Sequence, residues 1–335
     1  MFEILVTLCL AGSPDTCRDR LVPAGPFATR DACAAALPAH QEGAFCAKAG
    51  EPLAFREVAD GVFVHLGAIA EPDRENRGDV ANLGFVVGES SVAMIDAGSA
   101  RWIAEGAWRA IRARTGLPVE HLILTHMHPD HALGAPLFKE AGAEIVGHAA
   151  LNRALADRAA NYAESFARLI GPESFLGSGA VAATSEVADT LEIDLGGRVL
   201  ELSAWGPAHT RTDVTVLDRK TGVLFAGDLV FDDHVPALDG SLPGWLTALE
   251  RLGEPRPSAV VPGHGGPVLA WPEGLGPMRR YLGVLLADVR AAIAEGARIG
   301  EAAATVAASE ADRWSLFEAY NPRNATQAFT ELEWE

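Results

Sequence analysis

Seven side chains able to hold a metal ion recur along this 335-residue chain, each at the end of a short apolar run. Four stand together in Thr125-His126-Met127-His128-Pro129-Asp130-His131, and His209, Asp228 and His264 follow singly. His121-Leu122-Ile123-Leu124-Thr125 reads as a buried strand leading into the cluster. Arg198–Trp205 runs toward His209, Val223–Gly227 toward Asp228, and Val260-Val261-Pro262-Gly263 toward His264. A chain so patterned must fold with the C-terminal ends of several strands on one rim, where loops gather distant residues.

The donor types fit a pair of zinc-like ions. Such ions take neutral imidazoles at about 2.0–2.1 Å, with carboxylates to offset charge and one position left open to water. In a tight strand-exit loop alternate residues point the same way, so His126 and His128 can share one ion while Asp130 and His131 face a second. The following stretch, Ala132–Ala141, reads as a helix with Asp130 as its N-cap. Asp130 alone would read only as a cap and a lone His-x-His as surface histidine, but neither reading accounts for the whole set.

On these residues the chain resembles the metallo-β-lactamase superfamily from about Leu53 to Trp271. The resemblance implies a four-layer αββα sandwich in which His126, His128 and His209 hold one metal, Asp130, His131 and His264 the other, and Asp228 bridges them. It also implies that Asp96, in Met94-Ile95-Asp96-Ala97-Gly98, orients a ligand-bearing loop. An aspartate at position 228 disfavours a true β-lactamase and favours the thioesterase, lactonase and related branches. A narrower resemblance, to SoxH-like zinc metallohydrolases of periplasmic quinoprotein systems, rests on three features. They are Asn82-Leu83-Gly84-Phe85-Val86-Val87-Gly88, the stretch from Gly227-Asp228-Leu229 through Asp239-Gly240-Ser241-Leu242 and Trp245, and a cysteine-bearing N-terminal extension.

Composition narrows the function classes. A formal net charge of −18, with lysine only at positions 48, 139 and 220, opposes nucleic-acid binding and lowers the nuclease branch. No run approaches the roughly 18 apolar residues of a membrane span. Cys9, Cys17, Cys33 and Cys46 are the only cysteines. Without a Cys-x-x-Cys pair they suggest two disulfides, in any of three pairings, rather than a zinc knot. Disulfides and the family resemblance favour a periplasmic location. Met1–Gly12 is apolar but carries Glu3 and lacks a basic start, so Phe2–Leu10 reads as a strand rather than a leader.

The expected organisation is a cysteine-containing module at 1–50, a metallo-β-lactamase-like domain at 51–275, and a helical segment with an acidic tail at 276–335. Strands are expected at Leu53–Val58, Val62–Leu66, Asn82–Val87 and Val92–Ile95, and again at Leu191–Leu195, Val199–Ala204, Asp213–Leu217, Val223–Phe225 and Ala259–Val261. Helices are expected at Arg101–Arg114, Ala149–Leu169 and Trp245–Leu252, and after the last strand at Pro277–Glu295, Gly300–Ser309 and Glu310–Tyr320. The loop Gly171–Ser185 is long enough to be a lid over the substrate.

Two ions about 3.5–4 Å apart make a bridging hydroxide available near neutral pH to attack a carbonyl. Asp130 is then the catalytic proton acceptor, and His234, on the loop after Asp228, is a candidate substrate contact. His40, His65, His121 and His148 receive structural readings. The expected cofactor is two Zn²⁺ ions, with iron the alternative, and the expected substrate a small thioester, ester or lactone. An iron-dependent persulfide dioxygenase and a non-catalytic maturation partner in a quinoprotein pathway are the competing functions.

Overall fold

The computed structural model describes residues 1–40, 42–254 and 256–335. The chain begins with a three-stranded sheet in the order β2-β1-β3. It is built from β1 (Phe2–Leu10), β2 (Ser13–Leu21), helix α1 (Arg30–Ala36) and β3 (Phe45–Lys48). Two disulfides staple it: Cys9–Cys17 joins facing positions of β1 and β2, and Cys33–Cys46 ties α1 to β3.

The next strands are β4 (Arg56–Ala59), β5 (Val62–His65), β6 (Leu83–Val87) and β7 (Val92–Ile95), followed by α2 (Arg101–Arg112) and β8 (Val119–Ile123). Then come α3 (Pro129–Ala132), α4 (Pro136–Glu140), β9 (Glu144–His148), α5 (Leu151–Ile170), α6 (Pro172–Phe175) and β10 (Ser185–Val187). They form a seven-stranded sheet in sequence order from β10 to β4, antiparallel from β4 to β7 and parallel from β7 to β10. A second, six-stranded sheet runs in sequence order. Its strands are β11 (Thr190–Asp194), β12 (Val199–Ala204), β13 (Val214–Asp218), β14 (Val223–Phe231), β15 (Ala259–His264) and β16 (Leu269–Ala270), with α7 (Leu242–Arg251) between the fourth and fifth. Helices α8 (Gly276–Ala294), α9 (Ile299–Thr305) and α10 (Phe317–Leu332) close the chain.

Period-two alternation builds the layers, because successive strand side chains point to opposite faces. Along β7, Ala93 and Ile95 face the second sheet while Val92 and Met94 face the outer helices. Val62 and Val64 of β5 likewise meet Leu200, Leu202, Val214, Val216 and Phe225 in a shared inter-sheet core, and Phe63 turns outward to stack on Phe85 at 4.6 Å. Outside the second sheet, Leu224, Trp245, Leu282, Leu285 and Phe329 form another buried layer. The result is the αββα sandwich. Arg198 crosses between its halves, bonding Asp218 of β13 as well as the Val87 and Asp60 carbonyls.

Several expectations need correction. The first strand of the large sheet starts at Arg56, because Leu53 instead docks its N–H on the Gly106 carbonyl of α2. The single helix expected after the histidine cluster is two short ones, broken at Gly134, where a Cβ would lie 2.0 Å from the Ala97 oxygen. His128 is the N-cap of α3, and Asp130 lies inside the first turn rather than at the cap. Asp228 does not end a strand but lies within β14, where Gly227, at φ +51°, marks a register shift against β15. The 171–185 stretch is no lid. It starts as α6 and then packs inward, with Gly179 bonding Leu133, Ala183 bonding Asn152, and Leu176, Val181 and Ala183 buried. The tail is not a tail, since α10 runs to Leu332 with Phe329 and Leu332 buried. No helix among the described residues is long and apolar enough to cross a membrane.

Candidate metal centre

The seven donors named from sequence meet at the rim between the two sheets, in two sets: His126, His128, His209 and Asp228, and Asp130, His131 and His264. They arrive on several supports, with His128, Asp130 and His131 together at α3. His126 follows β8, whose exit is stitched across the sandwich by the bonds from Val214 N–H to the Thr125 carbonyl and from Met127 N–H to Thr212 Oγ1. His209 sits in a turn that Asp213 closes by accepting the Thr210 N–H and hydroxyl. Burial raises the Asp213 carboxyl to about 7. Asp228 and His264 come from the paired strands β14 and β15. Gly263 is required between them, because a Cβ there would fall 1.9 Å from Asp228 Oδ1.

The Asp228 carboxylate is the meeting point. Its Oδ1 lies 3.1 Å from His131 Nε2, and its Oδ2 lies 3.3 Å from His209 Nε2, 3.4 Å from His264 Nε2 and 3.7 Å from His126 Nε2. His264 Nε2 is also 3.4 Å from Asp130 Oδ2, and His128 Nδ1 faces His209 Nε2 at 3.0 Å.

Every imidazole is held from behind. His131 Nδ1 bonds Asp96, His209 Nδ1 the Ala237 carbonyl, His264 Nδ1 the Val80 carbonyl, and His128 Nε2 Asp239. The Thr125 hydroxyl gives its single proton to Asp96 Oδ2, so at the same oxygen it accepts from His126 Nδ1–H. Outer acceptors of this kind fix the tautomer and leave the opposite nitrogen's lone pair free. Four histidines thus present Nε2 to the centre and His128 presents Nδ1. Asp96, in left-handed backbone at φ +60°, accepts three bonds, from the Thr125 N–H, the Thr125 hydroxyl and His131.

Three buried atoms here lack a hydrogen-bond partner: His126 Nε2, His131 Nε2 and Asp228 Oδ1. Orphaned polar atoms are rare in protein interiors and costly, so three converging ones call for a shared partner. Burial holds His126 well below the ordinary histidine range and His209 at about 3. For His264 burial works the same way, but Asp228 and Asp130 outweigh it and raise it to about 9. The carboxylates therefore draw positive charge to this point. A donor set of five imidazoles and two carboxylates, with partnerless lone pairs aimed inward, suits two borderline divalent ions.

A cavity of about 420 Å³ opens over the cluster. His234 lines it, as do Tyr320 and Arg323 of α10 and Glu71 of the loop before β6. Sequence reasoning missed Tyr320 and Arg323, which it placed at or beyond the end of a helix. It quoted Asp239 only as part of a resemblance. Asp239 is paired with Arg158 of α5 behind His128, and nothing in the local sequence signals that contact.

The sandwich and its donor cluster define a metal-dependent hydrolase. The chain belongs to the metallo-beta-lactamase superfamily, whose profile matches residues 76–264. It is 25% identical over 231 residues to the Bacillus subtilis (strain 168) protein named "Probable metallo-hydrolase YqjP", covering 60% of this chain and 72% of that one. Among solved structures, a metallo-beta-lactamase from Pontibacter korlensis superposes with a TM-score of 0.56 at 22% identity, over 69% of this chain and 99% of its own. A stereoselective inverting sec-alkylsulfatase from a Pseudomonas species superposes with a TM-score of 0.66 at 16% identity, over 84% of this chain and 50% of its own. Both likenesses are of fold.

Proposed function

We propose that this chain is a dinuclear zinc hydrolase acting on a small carbonyl substrate: a thioester, ester or lactone. The observation that carries the reading is the convergence of His126 Nε2, His131 Nε2 and Asp228 Oδ1, all buried and partnerless, where Asp228 of one donor set faces His131 and His264 of the other. His126, His128 and His209 would hold one ion and Asp130, His131 and His264 the other, with Asp228 between them. When bound, such a pair lowers the pKa of water from 15.7 to about 7 and polarises a carbonyl oxygen.

The chain's own groups do the rest. Asp130 has one edge on the cavity, where its carboxylate can take up the proton released in attack. Asp96 keeps the His131 ring in place, and Asp239 does the same for His128. His234 donates Nδ1–H to the Val235 carbonyl, which leaves Nε2 as an acceptor for substrate. Burial, with His264 beside it, lowers His234 to about 4, so it acts as a neutral ring.

Two disulfides favour an oxidising compartment. With the Asn82 and Asp239 loops, they support a SoxH-like role beside a periplasmic quinoprotein system. Elemental analysis of purified protein, followed by a panel of thioesters, lactones and esters on the same sample, tests the proposal. The expectation is near two zinc per chain and turnover on the panel; about one iron per chain would favour sulfur oxidation instead. Asp130→Asn is expected to lower turnover more than zinc content, and full turnover at full loading would remove Asp130 from the proton-transfer role.

A further inference from the structure

Resting on that reading, we infer that the substrate carries an anionic group at the end remote from its reacting carbonyl, and that Arg323 is the residue that selects it. The cavity has a polar floor at Asp130, Asp228 and His264 and an apolar flank at Val80, Phe166 and Leu169. At its edge stands Arg323, the one Lys or Arg among the described residues lining it. The guanidinium lies 5.3 Å from the Tyr320 ring centroid, a cation–π contact between two residues that both line the cavity.

Its nearest carboxylate does not neutralise it. Glu71 Oε1 is 3.7 Å from Arg323 Nη2, and the two side chains are 52% and 67% exposed. So wet and long a pair contributes little and exchanges easily for another carboxylate. The guanidinium keeps a planar fork of donors that matches a carboxylate, sulfonate or phosphate. A neutral ester would use the apolar flank but leave Arg323 with nothing to do. An amphipathic anion uses both, with its carbonyl at the floor, its methylenes against Phe166 and Leu169, and its far charge at Arg323.

The test uses matched 4-nitrophenyl esters on zinc-loaded full-length protein: half esters of C4 to C8 dicarboxylic acids against the neutral monocarboxylic esters of equal length. The wild type is expected to prefer one length of half ester. Arg323→Ala should lower kcat/KM on that half ester about tenfold, as expected for one exposed charge-assisted contact, and leave the neutral ester unchanged. Arg323→Lys should recover part of the loss, and Glu71→Gln should increase the preference. Added salt should erode it in the wild type and not in Arg323→Ala. Equal losses on both esters, or no loss, would overturn the inference.

If the wild type hydrolyses none of the thioesters, lactones and esters, the proposed function fails on its own. Calorimetric binding of adipate against hexanoate to wild type and Arg323→Ala then decides the anion site. Adipate binding that weakens in the variant supports it, and equal affinities refute it.

Discussion

The molecule carries an addition at each end of its sandwich, and the two relate to the metal centre in opposite ways. The first forty-eight residues are closed by two disulfides and dock on α2, through the Glu3–Arg109 pair at 2.7 Å and through Glu105, which accepts from Leu21 N–H and Arg18. None of them lines the cavity over the cluster. The C-terminal helices have no covalent tie, yet they hold the loop that supports the ligands. Asn324 donates to the Pro236 carbonyl and to Tyr281 Oη and accepts the Leu238 N–H, bracketing Ala237, whose carbonyl fixes His209. Ser315 bonds the backbone on both sides of His234. Closeness to the site thus goes with a polar network and distance with a covalent staple. Groups that share a network couple energetically, whereas separated ones add independently.

The strongest way to break this contrast is Asn324→Ala. It leaves two backbone groups and a buried phenol short of a partner, at roughly 1–3 kcal/mol each. An expected loss of about 3–5 kcal/mol in urea unfolding should come with weaker metal retention against a chelator and with lower turnover. A stability loss with full metal affinity would separate the C-terminal helices from the centre. The matching experiment at the other end is the Cys33→Ser/Cys46→Ser double variant. Opening a cross-link of separation 13 is expected to cost about 3 kcal/mol, read as early proteolysis of the N-terminal sheet, while kcat/KM at low temperature stays unchanged. Lower turnover there would make the N-terminal sheet a partner of the site after all. Asp239→Asn sharpens the comparison within the supported loop. Changing the acceptor behind His128 is expected to weaken metal binding about 10- to 100-fold with little change in melting temperature.

How much of this was legible in the sequence follows from what each feature depends on. The candidate donors can be read because metal chemistry restricts residue type and apolar runs lead up to them in the sequence, so His126 through His264 stand out without knowledge of any contact. The sandwich came from the resemblance, since alternation gives strands but not which faces meet. β9 was overlooked because Glu144-Ile145-Val146-Gly147-His148 is short, contains a glycine and gains its strand character from pairing with β8 and β10. The helix expected at Glu310–Tyr320 is instead α10 at Phe317–Leu332, which continues past Pro322 with Asn321 and Asn324 as buried partners of Tyr281. Asp239 and Arg323 carried no local signal, because their roles come from residues 80 or more positions away. The cysteines announced disulfides, but pairing them required knowing that β1 and β2 place Cys9 opposite Cys17.

The smallest expected effect is a pH response confined to the C-terminal side. Glu310, buried between α9 and α10, receives Arg280 in a two-pronged contact, Nε to Oε1 at 2.9 Å and Nη2 to Oε2 at 3.0 Å, and the Trp314 indole N–H at 3.1 Å. Burial alone would raise its carboxyl, but Arg280 and Trp314 outweigh burial and hold it below the ordinary glutamate range. A carboxyl depressed in the folded state binds its proton more readily when unfolded. Its stabilisation is therefore complete above the unfolded value of about 4.3 and is lost as pH falls through the lower folded value. Because Arg280 is 42% exposed, solvent screens the pair and the contribution should be under about 1 kcal/mol. The melting-temperature gap between wild type and Glu310→Gln should accordingly be constant from neutrality down to about pH 5 and close below pH 4. A gap that instead widened on acidification would mean the Glu310 carboxylate is strained rather than stabilised by its neighbours, and the polar network would lose its claim to anchor α10.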